Sequence, residues 1–230
     1  MTRLKRYCPA RIPVHIIQRG NNRGDCFYED ADKGIYFLHL KEAAAAFDVR
    51  VHAWVFMSNH VHLLVTPAQP DSVSRMMQSI DREYVRYFNR KYSRTGTLWN
   101  GRFKSCLVQS ERYLLLCQRY IELNPVRAGI VNHPAAFHWS TYNTNALGVR
   151  SSLLRPHDAY LSLGKTKEER LAAYRALFRQ TLSKKLIEDI RLAVNKGLVV
   201  GSAEFKSRIE AESGQRVRLN KRGRKPLSAN

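Results

Sequence analysis

Apolar and polar positions change period several times along the first half of the chain. Pro13 to Gln18 reads as a strand and gives way to a turn rich in Gly, Asn and Arg. Asp30 is suited to cap a helix reaching about Phe47, with four alanines at its far end. Val49 to Met57 and His60 to Thr66 return to strand character, separated by the turn residues Ser58 and Asn59. Ser72 precedes a long helical stripe, Val73, Met76, Met77, Ile80, Tyr84, Tyr87 and Phe88, which predicts a helix to about Tyr92. Phe103 to Val108 is a fourth strand. A further helix runs from the capping residue Ser110 to Asn124, where Pro125 ends it. The order β-α-β-β-α-β predicts an α+β fold with a ferredoxin-like antiparallel sheet, helices on one face and the first and third strands central. The last helix would then cover the other face. After Trp139 the composition shifts. The pattern places one unit at residues 1–142, a helical C-terminal extension at 143–214 and a basic flexible tail at 215–230. Within the extension, Asn143 to Leu154 reads as a connection, followed by helices at about Lys167–Leu182, Lys184–Asn195 and Ala203–Glu212.

Two small constellations stand out against this frame. His60 and His62 fall on one face of their strand with Leu64, while Val61, Leu63 and Val65 take the other. Two adjacent imidazoles can hold one divalent metal ion if a third group approaches, or can simply be solvated or bonded to neighbours. Downstream, Tyr113, Leu116, Cys117, Tyr120 and Asn124 recur at helical spacing, with Gln118, Arg119 and Glu122 on the other side. Tyr120 and Asn124 therefore stack one turn apart on the inward face. Taken singly, Tyr120 also fits a core aromatic and Asn124 a helix terminator before proline.

Lys and Arg total 39 against 19 Asp plus Glu, a net charge of +20 that points to a polyanionic partner. The cations are also patterned. Arg75, Arg82, Arg86 and Arg90 recur along the long helix, and Trp99, Arg102, Phe103 and Lys104 interleave aromatic and basic groups in the manner of single-strand nucleic-acid binders. Gln18, Arg19, Asn21, Asn22 and Arg23 crowd hydrogen-bonding groups around Gly20 and Gly24, suited to reading base edges or to plain turn chemistry. Cys8, Cys26, Cys106 and Cys117 are scattered without a C-x-x-C pair, which indicates neither a zinc site nor a disulfide framework. No signal-peptide pattern or membrane span is read, and a cytoplasmic setting is expected.

Four blocks then make a specific resemblance: Val14-His-Ile-Ile-Gln-Arg-Gly-Asn-Asn-Arg23, Ala53-Trp-Val-Phe-Met-Ser-Asn-His-Val-His62, Gly96-Thr-Leu-Trp-Asn-Gly-Arg-Phe-Lys104 and Arg119-Tyr-Ile-Glu-Leu-Asn-Pro-Val-Arg-Ala-Gly129. In this order the chain resembles the REP-associated tyrosine transposases, of the single-tyrosine branch of the HUH endonuclease superfamily. The resemblance implies a metal-dependent single-strand DNA endonuclease and strand-transferase using a 5′-phosphotyrosine intermediate. Tyr120 would be the nucleophile and His60, His62 and Asn124 the ligands of Mg²⁺ or Mn²⁺, although related transposases carry glutamine at the Asn124 point. The expected partner is single-stranded DNA bearing a hairpin (a REP-like palindrome), bound by a monomer or homodimer with no membrane involved. The competing reading is a non-catalytic protein that binds single strands or hairpins, with Tyr120 in the core.

Overall fold

The computed structural model describes residues 6–219. Five strands and nine α-helices are formed among them. The strands are β1 (Val14–Arg19), β2 (Val49–Met57), β3 (His60–Pro67), β4 (Lys104–Val108) and β5 (Val199–Val200). In the first half lie α1 (Asp30–Ala46), α2 (Ser72–Lys91), α3 (Ser110–Glu122) and the single turn α4 (Asn124–Arg127). The second half adds α5 (Tyr142–Leu147), α6 (Asp158–Leu161), α7 (Lys167–Leu177), α8 (Lys184–Lys196) and α9 (Ala203–Ser213).

The sheet order is β2-β3-β1-β4-β5, so β1 and β3 are central, as the ferredoxin-like expectation requires. All pairings are antiparallel except β4 with β5, which makes the sheet mixed and not purely antiparallel. The extra strand is two residues long, too short for periodicity to reveal. β2 shifts register between Val51 and Ala53. This bulge lets Val51, Trp54 and Phe56 share one face while Ala53, Val55 and Met57 line the other.

Each face of the sheet has its own core. On one side α1 and α2 bury Tyr36, Leu40, Met76, Met77, Ile80, Tyr84 and Phe88 against Ile16, Phe56, Val61, Leu63 and Val65. α1 opens on a reciprocal cap, Glu29 with Asp32, one residue before the expected Asp30. On the other side α3 and α8 bury Leu114, Cys117, Tyr120, Ile190 and Val194 against Ile17, Val55, Leu64, Cys106 and Val108. α8 was read from sequence only as part of a separate extension, yet it shares this core with α3.

Three further differences from the sequence pattern have physical causes. α3 is buried on both sides: Gln118, Arg119 and Glu122, placed on its outer side by periodicity, are at most 5% exposed because α5, α6 and α7 cover them. The supposed connection after Asn143 starts inside α5, and the strip around it runs along the β2 edge, with Ser140 opposite Val55 and Leu154 beside Val51. The tail's first residues pack: Val217 is buried, its backbone N–H bonds to Glu210, and Arg218 pairs with Glu210 at 3.3 Å. Residues 220–230, with Lys221, Arg222, Arg224 and Lys225, lie outside the described residues. All four cysteines are free and buried, and no helix among the described residues is long and apolar enough to cross a membrane.

Candidate active site

Strand alternation assembles the site. β1 turns His15, Ile17 and Arg19 toward α3, and its antiparallel register with β3 sets Ile17 beside His62 and Arg19 beside His60. His15 Nε2 and His62 Nδ1 are 2.8 Å apart, their rings stacked at 5.1 Å. His60 Nδ1 lies 2.6 Å from the Asn59 side-chain oxygen. Both members of the His60–His62 pair thus have one ring nitrogen engaged, which orients each ring and leaves its Nε2 free.

α3 brings Tyr120 over His15 and His62. Its ring meets His15 and His62 edge-on, at 5.7 and 5.9 Å between centroids. Asn124 opens α4 instead of leaving helical geometry. Its amide nitrogen donates to the carbonyls of Tyr120 and Ile121 at 3.3 and 3.4 Å, which leaves its oxygen as the end able to coordinate. Pro125 is accommodated because the first turn of a helix needs no N–H there. Arg127, on the same short helix, lies 4.2 Å over the Tyr120 ring and donates to the Tyr120 carbonyl at 2.8 Å. The cleft of about 280 Å³ is completed by Arg191, Val194 and Asn195 of α8.

The electrostatics of this cleft are unusual. Burial, then the charges of Arg19 and Arg127, holds His60 down at about 3. Burial and Arg127 hold His15 at about 3, and burial with the neighbouring His15 and His60 holds His62 well below the usual range. The imidazoles are therefore neutral and keep their lone pairs. Arg19 and Arg127 are themselves lowered, first by burial. Neither forms an ion pair with a carboxylate among the described residues. Two desolvated cations without a counter-charge are costly, and an anion entering the cleft would relieve that cost.

The donor set also bears on a metal ion. No group of three or more His, Cys, Asp or Glu side chains among the described residues could hold one. What the cleft offers is two imidazole nitrogens and an amide oxygen, His60, His62 and Asn124, all in its lining. That set fits an ion whose remaining positions are filled by water and phosphate oxygens, as Mg²⁺ and Mn²⁺ prefer.

The other residues singled out from sequence fall into separate places. Arg19 is in the cleft wall. Gln18, next to it on β1, points the other way, is 2% exposed and donates to Asp81 of α2 at 2.8 Å, so it is not free to read base edges. Trp99 is likewise withdrawn: its indole packs in the core beside Tyr36 and Tyr84. Asn21, Asn22 and Arg23 form an exposed turn beside the cleft. Gly20 is required there, since a Cβ would sit 2.1 Å from the Gly24 carbonyl oxygen. The turn is laced to the Trp99 segment through Gly20 opposite Trp99, Asn21 N–H to Leu98 and Asn100 N–H to Arg19. The two segments thus form one rim, on which Arg102 and Lys104 are exposed; Lys104 donates to Asn195 at 3.0 Å. Arg82, Arg86 and Arg90 are exposed on α2, across the sheet from the cleft, and Glu83 pairs with the first two at 3.7 and 3.2 Å.

Sequence reasoning missed His15, Arg127, Arg191 and Asn195. His15 alternates with Ile17 and Arg19, a signal that becomes specific only once the β1–β3 register is known. Arg127 sits inside the Asn-Pro-Val-Arg block. Nothing in the sequence of α8 marks Arg191 or Asn195.

The family model for IS200-like transposases matches residues 9–124, just over half of the chain. The chain belongs to the IS200-like transposase family. No curated protein matches the sequence. Among solved structures, a REP-associated tyrosine transposase bound to a REP hairpin superposes with a TM-score of 0.53 at 18% identity, covering 69% of this chain and 93% of that one. A chain from Deinococcus radiodurans, provisionally assigned as a transposase, is 25% identical over 53% of this chain and 96% of its own, with a TM-score of 0.37.

Proposed function

We propose that this transposase is a metal-dependent single-strand DNA endonuclease and strand-transferase that acts beside a DNA hairpin through a 5′-phosphotyrosine. The observation that carries this reading is the convergence in one cleft of a tyrosine, a neutral histidine pair and two half-buried cations without a carboxylate partner. Tyr120 Oη attacks the phosphorus; the new O–P bond forms as the bond to the 3′-oxygen breaks, and the strand end leaves as a 3′-hydroxyl. The phosphodiester is conserved as an aryl phosphate, which allows rejoining to another 3′-hydroxyl. Arg19 and Arg127 neutralise the non-bridging oxygens of the phosphate under attack. His60, His62 and Asn124 would hold Mg²⁺ or Mn²⁺, which supplies Lewis-acid polarisation of the phosphate when bound.

Substrate form follows from the cleft. It is lined by strand residues on one side and by α8 on the other, and an unpaired strand, more pliant than a stiff duplex, is expected to present its scissile phosphate there. The rim at Asn21, Asn22, Arg23, Arg102 and Lys104 would contact the flanking DNA. The hairpin bound by the REP-associated transposase of like fold supports the choice of hairpin-bearing strands. Oligomeric state, monomer or homodimer, belongs to the same reading and sedimentation with and without DNA reports it. The test is incubation with Mn²⁺ and labelled strands, followed by denaturing electrophoresis. A protein–DNA adduct is expected with hairpin-bearing single strands and not with the same sequence as a linear duplex. Binding without an adduct under all metal conditions would establish the non-catalytic binder instead.

A further inference from the structure

The side of α3 facing away from Tyr120 carries a buried carboxylate that the strand-transfer chemistry does not use. Glu122 follows Tyr120 by two residues, so its side chain leaves the helix about 200° away. It is 0% exposed and accepts hydrogen bonds from Thr141 Oγ1 at 2.8 Å, Asn145 Nδ2 at 2.8 Å and Tyr174 Oη at 2.7 Å. No Lys, Arg or His pairs with it among the described residues.

The three donors come from three different supports. Thr141 is fixed to the β2 edge, its hydroxyl accepting from the Trp54 N–H at 3.1 Å and its own N–H donating to the Trp54 carbonyl at 3.0 Å. Asn145 belongs to α5 and Tyr174, itself 0% exposed, to α7. Arg119 adds a second tie on the same side, donating to the Gln180 carbonyl and lying 5.6 Å over the Phe178 ring. A leucine would fill this space without the desolvation cost of a carboxylate. What the carboxylate adds is direction: three donors fix the rotation of α3 about its axis, where an apolar contact would let it slip.

We propose that Glu122 is a positioning residue, whose hydrogen-bonded clamp to Thr141, Asn145 and Tyr174 sets the rotation of α3 and thereby aims the Tyr120 hydroxyl at the His60–His62 pair. The inference rests on the strand-transfer reading for its rate effect, and on geometry alone for its effect on Tyr120. Helices α5 and α7 then belong to the catalytic apparatus, although neither lines the cleft.

Glu122→Gln and Tyr174→Phe test it in the full chain. Measured at saturating hairpin DNA with Mn²⁺, the single-turnover rate of adduct formation is expected to fall at least roughly tenfold in each. DNA affinity and the folded fraction should stay near wild type, and the double variant should be no slower than the worse single one. Rates that are unchanged, or that fall only with the folded fraction, would overturn the proposal. Failure of wild type to form any adduct would count against strand transfer itself. The clamp is then judged by 3-fluorotyrosine spectra, with the position-120 resonance assigned by Tyr120→Phe. That resonance is expected to shift or broaden in both clamp variants, and its constancy would overturn the clamp.

Discussion

The two faces of the sheet, built from the same central strands, treat charged groups in opposite ways. Against α1 and α2 the buried charge is answered: Asp32 accepts from Tyr87, Tyr92 and Lys91, and the Tyr84 hydroxyl donates to the Cys26 carbonyl at 2.6 Å. The arginines of that layer stand outside it, exposed along α2. Against α3 and α8 the same strands bury His15 and His62 as neutral rings and leave Arg19 and Arg127 half-sunk with no carboxylate. Arg127 gains the Tyr120 carbonyl and ring as partners, but neither cation gains a counter-charge. One face pairs its buried charge within the protein, while the other keeps cations whose desolvation an anionic ligand would offset.

Substitutions on the two faces should therefore separate activity from stability. The largest effect is expected at the proposed metal pair: His60→Ala or His62→Ala should abolish adduct formation, as should EDTA. His60→Ala should barely move the thermal midpoint, whereas His62→Ala should lower it by removing the buried partner of His15. Undiminished cleavage in EDTA, or two active alanine variants, would remove the metal from the account. On the opposite face, Phe56→Ala should cost about 3–5 kcal/mol of stability by opening a cavity, measured by urea unfolding. The residual folded protein should cleave normally.

Arg127→Met sharpens the contrast within one residue. It removes a half-buried cation without a counter-charge, and one bond to the Tyr120 carbonyl, while keeping the stem, so stability should hold within about 1 kcal/mol. Adduct formation should slow by roughly 10²–10³. A strongly destabilised variant of normal rate would make Arg127 a structural residue. The smallest effect concerns the α2 arginines. If the bound strand wraps to the far face, replacing Arg82, Arg86 and Arg90 together with Gln should flatten the log–log salt dependence of binding by roughly 2. An unchanged slope would leave them a solvated face.

The legible part of this molecule is the part that local periodicity encodes. Alternation placed His60 and His62 on one face and Val61, Leu63 and Val65 on the other, and helical spacing put Tyr120 of α3 and Asn124, which opens α4, on the side that lines the cleft. What escaped depends on contacts distant in sequence. Gln18 and Trp99 carry surface-like chemistry in a polar turn and a basic segment, yet Asp81 captures one and an aromatic core the other. Gln118, Arg119 and Glu122 look solvated by local periodicity, because the helices that bury them begin only at Tyr142, Asp158 and Lys167. α8 is an ordinary amphipathic helix in sequence, and only the fold shows that it roofs the cleft.

The central claim is that Tyr120 alone becomes covalently joined to DNA. Mass spectrometry of the protease- and nuclease-digested adduct tests it most directly. The account predicts a nucleotide 5′-phosphate on the peptide bearing Tyr120 and loss of all adduct in Tyr120→Phe. A nucleotide found instead on Tyr113, or an adduct that persists in the phenylalanine variant, would contradict it.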